Sequence, residues 1–421
     1  MIPVPHRPKS LDRYRRLLGD RVLSNIRETA EGLRGLRITH VNATPLGGGV
    51  AEILSSLVPL MADVGLTAQW WALDPHPEFF AVTKKIHNSL QGMEEASLSR
   101  QEIDLYMDYN RHLAQQIEDQ SSDADVLILH DPQVLPSVSF MNNGRRVIWH
   151  CHLDTSTPSR TGLELIAPLT HLVTHSIVSM PTYSVDGMSR NRLSVLPPAI
   201  DPFSPKNSPL PRPQGIEILS RMGLDPSRPL VTQVSRFDPW KDPLGVIDAY
   251  RLVKREVPAL QLALLGAMTA QDDPESVSIL ETVRAHADGD PDIHIFFEPA
   301  DGEAEPVNAF QSLSTVVVQK SIREGFGLTV TEAMWKGAAI VGGDCGGIAF
   351  QIQDGVSGYL ASSPEECASH LLRLINDPED RARIGAHARE RVLTNFLMPR
   401  LLLDYLRLLT SAMGHGSSSS S

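Results

Sequence analysis

Twice along this chain a short run of apolar, strand-forming residues enters a special loop and leaves it as an amphipathic helix. In the first half Leu36 to Val41 runs into Asn42-Ala43-Thr44-Pro45-Leu46-Gly47-Gly48-Gly49, and Val50 to Val64 then follow helical spacing. In the second half Pro229 to Val234 runs into Ser235-Arg236-Phe237-Asp238-Pro239-Trp240-Lys241-Asp242-Pro243, and Leu244 to Val257 form the helix. Strands separated by helices pair in parallel through crossovers. The alternation continues on both sides of residues 201 to 229, which are rich in proline and polar groups and read as an interdomain linker. The expectation is an α/β chain of two doubly wound domains, residues 1–208 and 209–395. A helix over 396–413 follows, and 414–421 read as a disordered tail of serines. At 421 residues the chain is long for a single core.

In open parallel sheets, ligands collect beyond the carboxyl ends of the strands. Two polar clusters fall there: His130-Asp131 after the strand Asp125 to Leu129, and His150 to Asp154 after Arg146 to Trp149. His130, Asp131, His152 and Asp154 are therefore site candidates. His150 and His152 should point to opposite faces if their strand continues, so they are not expected to form a metal pair. The triplets Asp123/Asp125 and Asp290/Asp292 fall in polar turns and are not read as metal ligands. His171 to Ser176 reads as a short strand, and Ile293 to Phe297 as a strand ending at Glu298-Pro299.

The stretch Ser321 to Gly337 carries the most chemistry. Gly325 and Gly327 suit a backbone that bends close to a ligand. Thr329 to Lys336 reads as a helix, with Gly337 placed for a left-handed cap. A helix start offers unpaired N–H groups and partial positive charge, which suits phosphate. Glu324 and Glu332 bracket that anion site, and carboxylates accept hydrogen bonds from hydroxyls. The layout calls for phosphate in the middle and sugars at both ends. Gly47 to Gly49 should let backbone N–H groups reach the same diphosphate. Arg236 and Lys241 are its expected cationic partners. The loop Gly342-Gly343-Asp344-Cys345-Gly346-Gly347 should allow another close backbone approach to sugar or phosphate.

Composition sets limits on partners. A net charge of −12 argues against a nucleic-acid surface, so an anionic substrate needs a local basic pocket. Three cysteines without metal-ligand spacing (Cys151, Cys345, Cys367) fit a reducing cytoplasm. The N-terminus lacks the apolar core of a signal peptide, and no apolar run approaches the roughly 18 residues of a membrane helix.

The Glu324-x7-Glu332 spacing with Gly325-Phe326-Gly327 inside it resembles the donor-site signature of retaining GT-B glycosyltransferases, the family that includes sucrose and glycogen synthases. More narrowly, the chain is similar to the family-4-type trehalose glycosyltransferring synthases. The resemblance runs through His40 to Thr44, Gly49 to Leu54, Trp149 to Asp154, Pro197 to Pro202, Gln233 to Lys241 and Ser321 to Gly337, and spans roughly residues 36 to 396. It implies a GT-B fold, two Rossmann-like domains facing a central cleft. The N-terminal domain would be acceptor-side, the C-terminal one would hold the donor, and the last helix would cross back.

The resemblance also implies roles. Glu332 would hold the ribose diol and Glu324 the donor-sugar hydroxyls, while Arg236 and Lys241 would neutralise the diphosphate. Gly48, Gly49, Gly325, Phe326, Gly327 and Leu328 complete the donor set. His152 would face donor sugar and acceptor, with Lys84, Asn88, Asp131 and Asp154 on the acceptor side; His152, Arg236, Lys241 and Glu324 form the catalytic set. Two local departures stand out: His150 where the pattern leads one to expect arginine, and a divergent acidic loop over residues 300–306.

The implied reaction is a reversible, retaining transfer of glucose from a nucleoside-diphosphate glucose (ADP-, UDP- or GDP-linked) to free glucose, giving α,α-trehalose. It calls for no metal and no further cofactor, since the cations stabilise the leaving diphosphate. Attack on the same face, with the leaving phosphate taking the acceptor proton, and domain closure to exclude water are part of that picture. Partners would be these small molecules only, with no membrane or nucleic acid. The terminal helix and exposed apolar helices suggest a homodimer. Rival readings are a trehalose phosphorylase using orthophosphate, a nucleotide-glucose transferase with another acceptor, and a non-catalytic nucleotide-sugar sensor. A nucleotide-sugar epimerase would lack the two-glutamate loop.

Overall fold

The computed structural model describes residues 1–94, 98–142, 144–266, 276–297 and 303–414. Glu298-Pro299, part of the acidic 300–306 loop and the serine tail lie outside the described residues. The described residues divide into two compact units, one of residues 1–199 with 398–414 and one of residues 200–397.

The first unit is built on β1 (Ile2–Pro3), β2 (Arg37–Asn42), β3 (Thr67–Ala72), β4 (Val126–His130), β5 (Arg146–Cys151), β6 (His175–Val178) and β7 (Leu193–Val195). Their order is β1-β3-β2-β4-β5-β6-β7, parallel throughout except for the short β1 edge. β4 is buried along its whole length, the continuous apolar run that a sheet covered on both faces requires. Helices Pro77–Leu90 and Arg100–Gln120 cover one face around Trp149, Tyr106 and Phe79. Helix Gly49–Asp63 covers Trp70 on the other.

The second unit contains β8 (Leu230–Val234), β9 (Gln261–Leu265), β10 (Ile293–Phe296), β11 (Val316–Gln319), β12 (Ile340–Gly343) and β13 (Tyr359–Ala361), all parallel, in the order β10-β9-β8-β11-β12-β13. Helices Pro243–Lys254 and Pro364–Asn376 close one core against this sheet. In each sheet the chain builds outward on one side and then returns to the other side of its starting strand. The switch points lie between β2 and β4 and between β8 and β11. Crevices open at such points, beyond the carboxyl ends of the strands.

Several expectations are corrected. The break between units falls at Ala199–Ile200, because residues 201–208 are tied into the second unit. The Asn308 amide donates to the carbonyls of Pro205 (3.2 Å) and Ser208 (2.8 Å), and Trp335 Nε1 donates to that of Asn207 (3.2 Å). Part of the supposed linker is the helix Arg212–Arg221. The strand expected at His171 begins at His175, since the helix Arg160–Thr170, capped by Ser159, occupies the preceding residues despite its internal Pro168. Gly342 and Gly343 close β12, and a short helix, Gly346–Gln351, follows.

Helix Met398–Gly414 belongs to the first unit, where it packs on helices Arg15–Glu31 and Gly49–Asp63. Its Leu401, Leu402, Tyr405, Leu406 and Leu409 are buried there. The apolar face that suggested a homodimer is therefore covered within its own unit.

Candidate active site

In the second unit the loops leaving β8 and β11 flank the switch point and are joined to each other. Past β8, buried Asp238 accepts from the Trp240 N–H (2.9 Å), and the Arg236 guanidinium stands 3.7 Å from the same carboxylate. Asp242 adopts a left-handed conformation (φ 47°) and caps helix Pro243–Lys254 by accepting from Gly245 N–H at 3.0 Å. Buried Lys320, the first residue past β11, pairs with the Asp242 carboxylate. The Gln233 amide fixes the Lys241 carbonyl (2.7 Å), and Ile322 N–H donates to the Trp240 carbonyl (2.9 Å). Lys241 Nζ then reaches Glu324 Oε2 at 2.6 Å.

The Glu324 loop is held from behind by residues past β12. Gly327 is left-handed (φ 86°), and helix Leu328–Trp335 begins on it with no side-chain cap, so its start is open to an anion. Gly337, also left-handed (φ 74°), follows the helix as expected. Gln351 donates to the carbonyls of Phe326 (2.5 Å) and Gly327 (3.3 Å), and Gly347 N–H to that of Glu324 (3.1 Å). The expectation that Gly342 to Gly347 approach a ligand is thereby refined. A Cβ on Gly343 would lie 1.9 Å from the Ser321 carbonyl oxygen, and one on Gly347 would lie 2.3 Å from Phe326 Cα. These glycines serve a backbone-to-backbone approach that shapes the Glu324 loop. Gly343→Ala is expected to cost about 1–3 kcal/mol of overpacking and to raise the donor KM, read by thermal melting and donor titration.

Glu332 lies on the helix after the loop, buried, with Oε1 3.2 Å from Lys206 Nζ. Lys206 was missed because it sits in the proline-rich stretch read as linker. Gln351, Asp242 and Lys320 were missed because no motif marks their spacing. Glu332→Ala removes a charged hydrogen-bonding group worth about 1.5–3 kcal/mol, so the donor KM should rise roughly 10- to 100-fold. Donor titration at saturating acceptor checks this.

In the first unit, Gly47 is left-handed (φ 83°), and Gly48 and Gly49 open helix Gly49–Asp63, which also lacks a side-chain cap. Asn42 steadies that loop, donating to the Thr44 carbonyl and accepting from Trp70 Nε1, both at 2.7 Å. Past β4, Asp131 is left-handed (φ 63°), and its carboxylate accepts from His152 N–H at 2.7 Å. Asp154 is buried and accepts from Ser156 N–H (3.0 Å) and Oγ (2.6 Å), so it builds a turn. Lys84 and Asn88 are buried on helix Pro77–Leu90, which packs against the turn Asp131–Val134.

Four histidines crowd the carboxyl ends of β2, β4 and β5. His40 Nδ1 lies 3.0 Å from His130 Nε2, and His130 Nδ1 lies 3.0 Å from His152 Nε2. His150 Nδ1 meets the Tyr405 hydroxyl at 2.5 Å. Burial holds His40 and His152 down at about 3 and pushes His130 and His150 well below the usual imidazole range, so all four are neutral. The expectation that His150 and His152 diverge fails. β5 ends at Cys151, and the two rings stack 3.8 Å apart. Nitrogens of His130, His150 and His152 lie within 4.8 Å of one another, the residues among those described that could hold a metal ion. The two Asp-x-Asp triplets are engaged elsewhere: Asp123 and Asp125 with Arg37, Asp292 with Arg228 and Lys254, and Asp290 with the Tyr250 hydroxyl.

The expected donor residues Arg236, Lys241, Glu324 to Leu328 and Glu332 thus assemble in the second unit. Gly48, Gly49, Lys84, Asn88, Asp131, His152 and Asp154 belong to the first.

Residues 40–185 match the family model "Trehalose synthase, N-terminal domain", and residues 217–391 match "Glycosyl transferases group 1". A trehalose synthase of Rubrobacter xylanophilus is 45% identical over 409 residues, 96% of this chain and 98% of that one. One of Pyrococcus horikoshii is 41% identical over 406 residues, 96% and 97% of the two chains. Among solved structures, an α,α-trehalose 6-phosphate synthase from Burkholderia multivorans superposes with a TM-score of 0.72 at 15% identity, over 91% of this chain and all of that one. Fold and sequence agree: the chain belongs to the trehalose synthase family of GT-B glycosyltransferases.

Proposed function

We propose that this retaining hexosyltransferase moves glucose from a nucleoside-diphosphate glucose to free glucose, releasing the nucleoside diphosphate and forming α,α-trehalose. The observation that carries the reading is the Lys241–Glu324 ion pair, 2.6 Å long, tying the loops on either side of the second switch point, with Arg236 on the same loop as the lysine. A diphosphate entering beside the open start of helix Leu328–Trp335 draws Lys241 away from Glu324. The released carboxylate then accepts hydrogen bonds from donor-sugar hydroxyls. Glu332 holds the ribose diol. As the glycosidic C–O bond breaks, charge gathers on the leaving phosphate oxygen, where Arg236, Lys241 and the helix-start N–H groups stabilise it. The acceptor hydroxyl attacks the same face of the sugar and gives its proton to that oxygen.

Neither a metal nor a cofactor is assigned a step; the cations supply the positive charge. No helix of the described residues is long and apolar enough to cross a membrane. A cytoplasmic homodimer remains part of the proposal, and the dimer must use a surface other than the covered face of helix Met398–Gly414; light scattering reads it.

The test is a grid of ADP-, UDP- and GDP-glucose against glucose, glucose phosphate and glycerate, with the linkage of each product read by NMR. The expected product is α,α-trehalose from free glucose, with one nucleoside diphosphate released per linkage. Orthophosphate-dependent cleavage of trehalose without any use of nucleotide-glucose would overturn the reading in favour of a phosphorylase.

A further inference from the structure

The two carboxylates of the Ser321 to Gly337 stretch each face a lysine. Lys241 reaches Glu324 from the neighbouring loop, and Lys206 Nζ stands 3.2 Å from Glu332 Oε1. The two acids differ in their surroundings: the Glu324 side chain is 13% exposed, that of Glu332 only 2%. A carboxylate buried to that degree needs a cation beside it and contacts that fix its orientation. Lys206 comes from residues 201–208, which fold back on themselves. The Ser208 N–H donates to the Ser204 carbonyl (2.8 Å), and the Asn207 amide to that of Asp201 (3.2 Å). The segment is pinned on both sides of Lys206. Asn308 donates to the Pro205 carbonyl (3.2 Å). Trp335 Nε1 donates to the Asn207 carbonyl (3.2 Å), and Lys336 Nζ to Asn207 Oδ1 (3.0 Å). The backbone around Lys206 is therefore fixed relative to the helix that carries Glu332.

We infer that Lys206 is a positioning residue for the nucleoside half of the donor, holding the Glu332 carboxylate in the orientation that reads a ribose diol. The inference rests on the reading above in one respect, that Glu332 faces the ribose. An ionised carboxylate offers about four lone-pair sites. Lys206 takes one and two ribose hydroxyls take two more, so the acid serves cation and ribose together. The two lysines then have opposite fates. Lys241 leaves Glu324 for the diphosphate, while Lys206 stays on Glu332, because a neutral diol brings no charge to draw it away. A nucleotide without its 2′-hydroxyl leaves a buried acceptor unfilled, the kind of mismatch that a polar site rejects strongly. The competing role is an ion pair that merely fastens residues 201–208 to the helix. Asn308, Trp335 and Lys336 already do that fastening through other atoms of the segment.

Calorimetric titration of the full chain with ADP, UDP and GDP, with their 2′-deoxy counterparts and with inorganic pyrophosphate tests this. The unaltered protein should bind its preferred nucleoside diphosphate at least about tenfold tighter than the 2′-deoxy form, one charged hydrogen bond's worth. Lys206→Met should weaken the ribonucleotide about tenfold and the 2′-deoxy form less than about threefold, so that the ratio collapses. Pyrophosphate binding should not change, and the donor KM should rise with a smaller change in kcat. Lys206→Arg should restore the ratio. In a Glu332→Gln background, Lys206→Met should have little further effect. Should Lys206→Met melt below the assay temperature, Lys206→Gln carries the same comparison. A folded variant with the 2′-hydroxyl ratio unchanged overturns the inference and leaves a structural ion pair. Loss of pyrophosphate binding in step with the nucleotide overturns it too, since Lys206 then acts on the diphosphate. An unaltered protein that does not distinguish the two nucleotides rejects the placing of Glu332 at the ribose, and the inference with it.

Discussion

Replacing Lys241 by alanine is expected to lower kcat about 100- to 1,000-fold, the usual consequence of removing one group that stabilises transition-state charge. Arg236→Ala should do the same, because both cations leave the same loop. The structural cost should be small beside this. Lys241 and Glu324 are each mostly covered, so losing one partner leaves a partly buried charge worth about 1–3 kcal/mol. Steady-state kinetics and thermal melts on the same preparations separate the two effects. Glu324→Gln gives a useful contrast, since it releases Lys241 while weakening the grip on sugar hydroxyls. It should therefore affect the sugar half of the donor more than the free nucleoside diphosphate. Unchanged kinetics in both Lys241→Ala and Arg236→Ala would reject the diphosphate assignment.

Acidification between pH 6.5 and 5 is expected to destabilise the first unit steeply. His40, His130, His150 and His152 all have folded-state pKa values below the ordinary histidine value of 6.5, chiefly because they are buried. Below pH 6.5 the unfolded chain therefore binds protons that the folded chain refuses, and stability falls as pH falls. Each such histidine contributes a slope approaching 1.4 kcal/mol per pH unit, or about 2 kcal/mol by pH 5. Two or three of them together rival the whole stability of a typical domain. Carboxylates act lower. Glu102, held at about 2 by Lys85 and Ser99, loses its contribution only below the ordinary carboxylate range. Urea midpoints measured from pH 8 to 5 isolate the histidine contribution, and a flat profile over that interval contradicts it.

The fold was legible because its signals are local. Apolar runs such as Val126 to Leu129 and Leu230 to Val234 are too continuous for half-exposed strands, and helical periodicity between them leaves only parallel pairing. The candidate donor loop was legible for the same reason: Glu324, Gly327 and Glu332 lie within a dozen residues of one another. What the sequence hides is long-range. Lys206 meets Glu332 across 126 positions, Lys320 meets Asp242 across 78, and Tyr405 meets His150 across 255. The histidine chain was hidden in another way. His130 and His152 were visible as strand-end residues, but their contact depends on β4 and β5 being neighbours and on β5 stopping at Cys151. His40 lies inside β2, where nothing in its surroundings sets it apart from a core residue. In the second run of glycines, the close approach visible in the structure at Gly343 and Gly347 is to the chain's own backbone, a partner the local sequence does not name.

The most direct measurement is a crystal structure of the protein with a nucleoside diphosphate bound. The account predicts the two phosphates within hydrogen-bonding distance of Arg236, Lys241 and the N–H groups that begin helix Leu328–Trp335. It also predicts the Lys241–Glu324 contact opened and the ribose hydroxyls on Glu332. A nucleotide bound elsewhere, or one bound there with Lys241 still paired to Glu324, would contradict it.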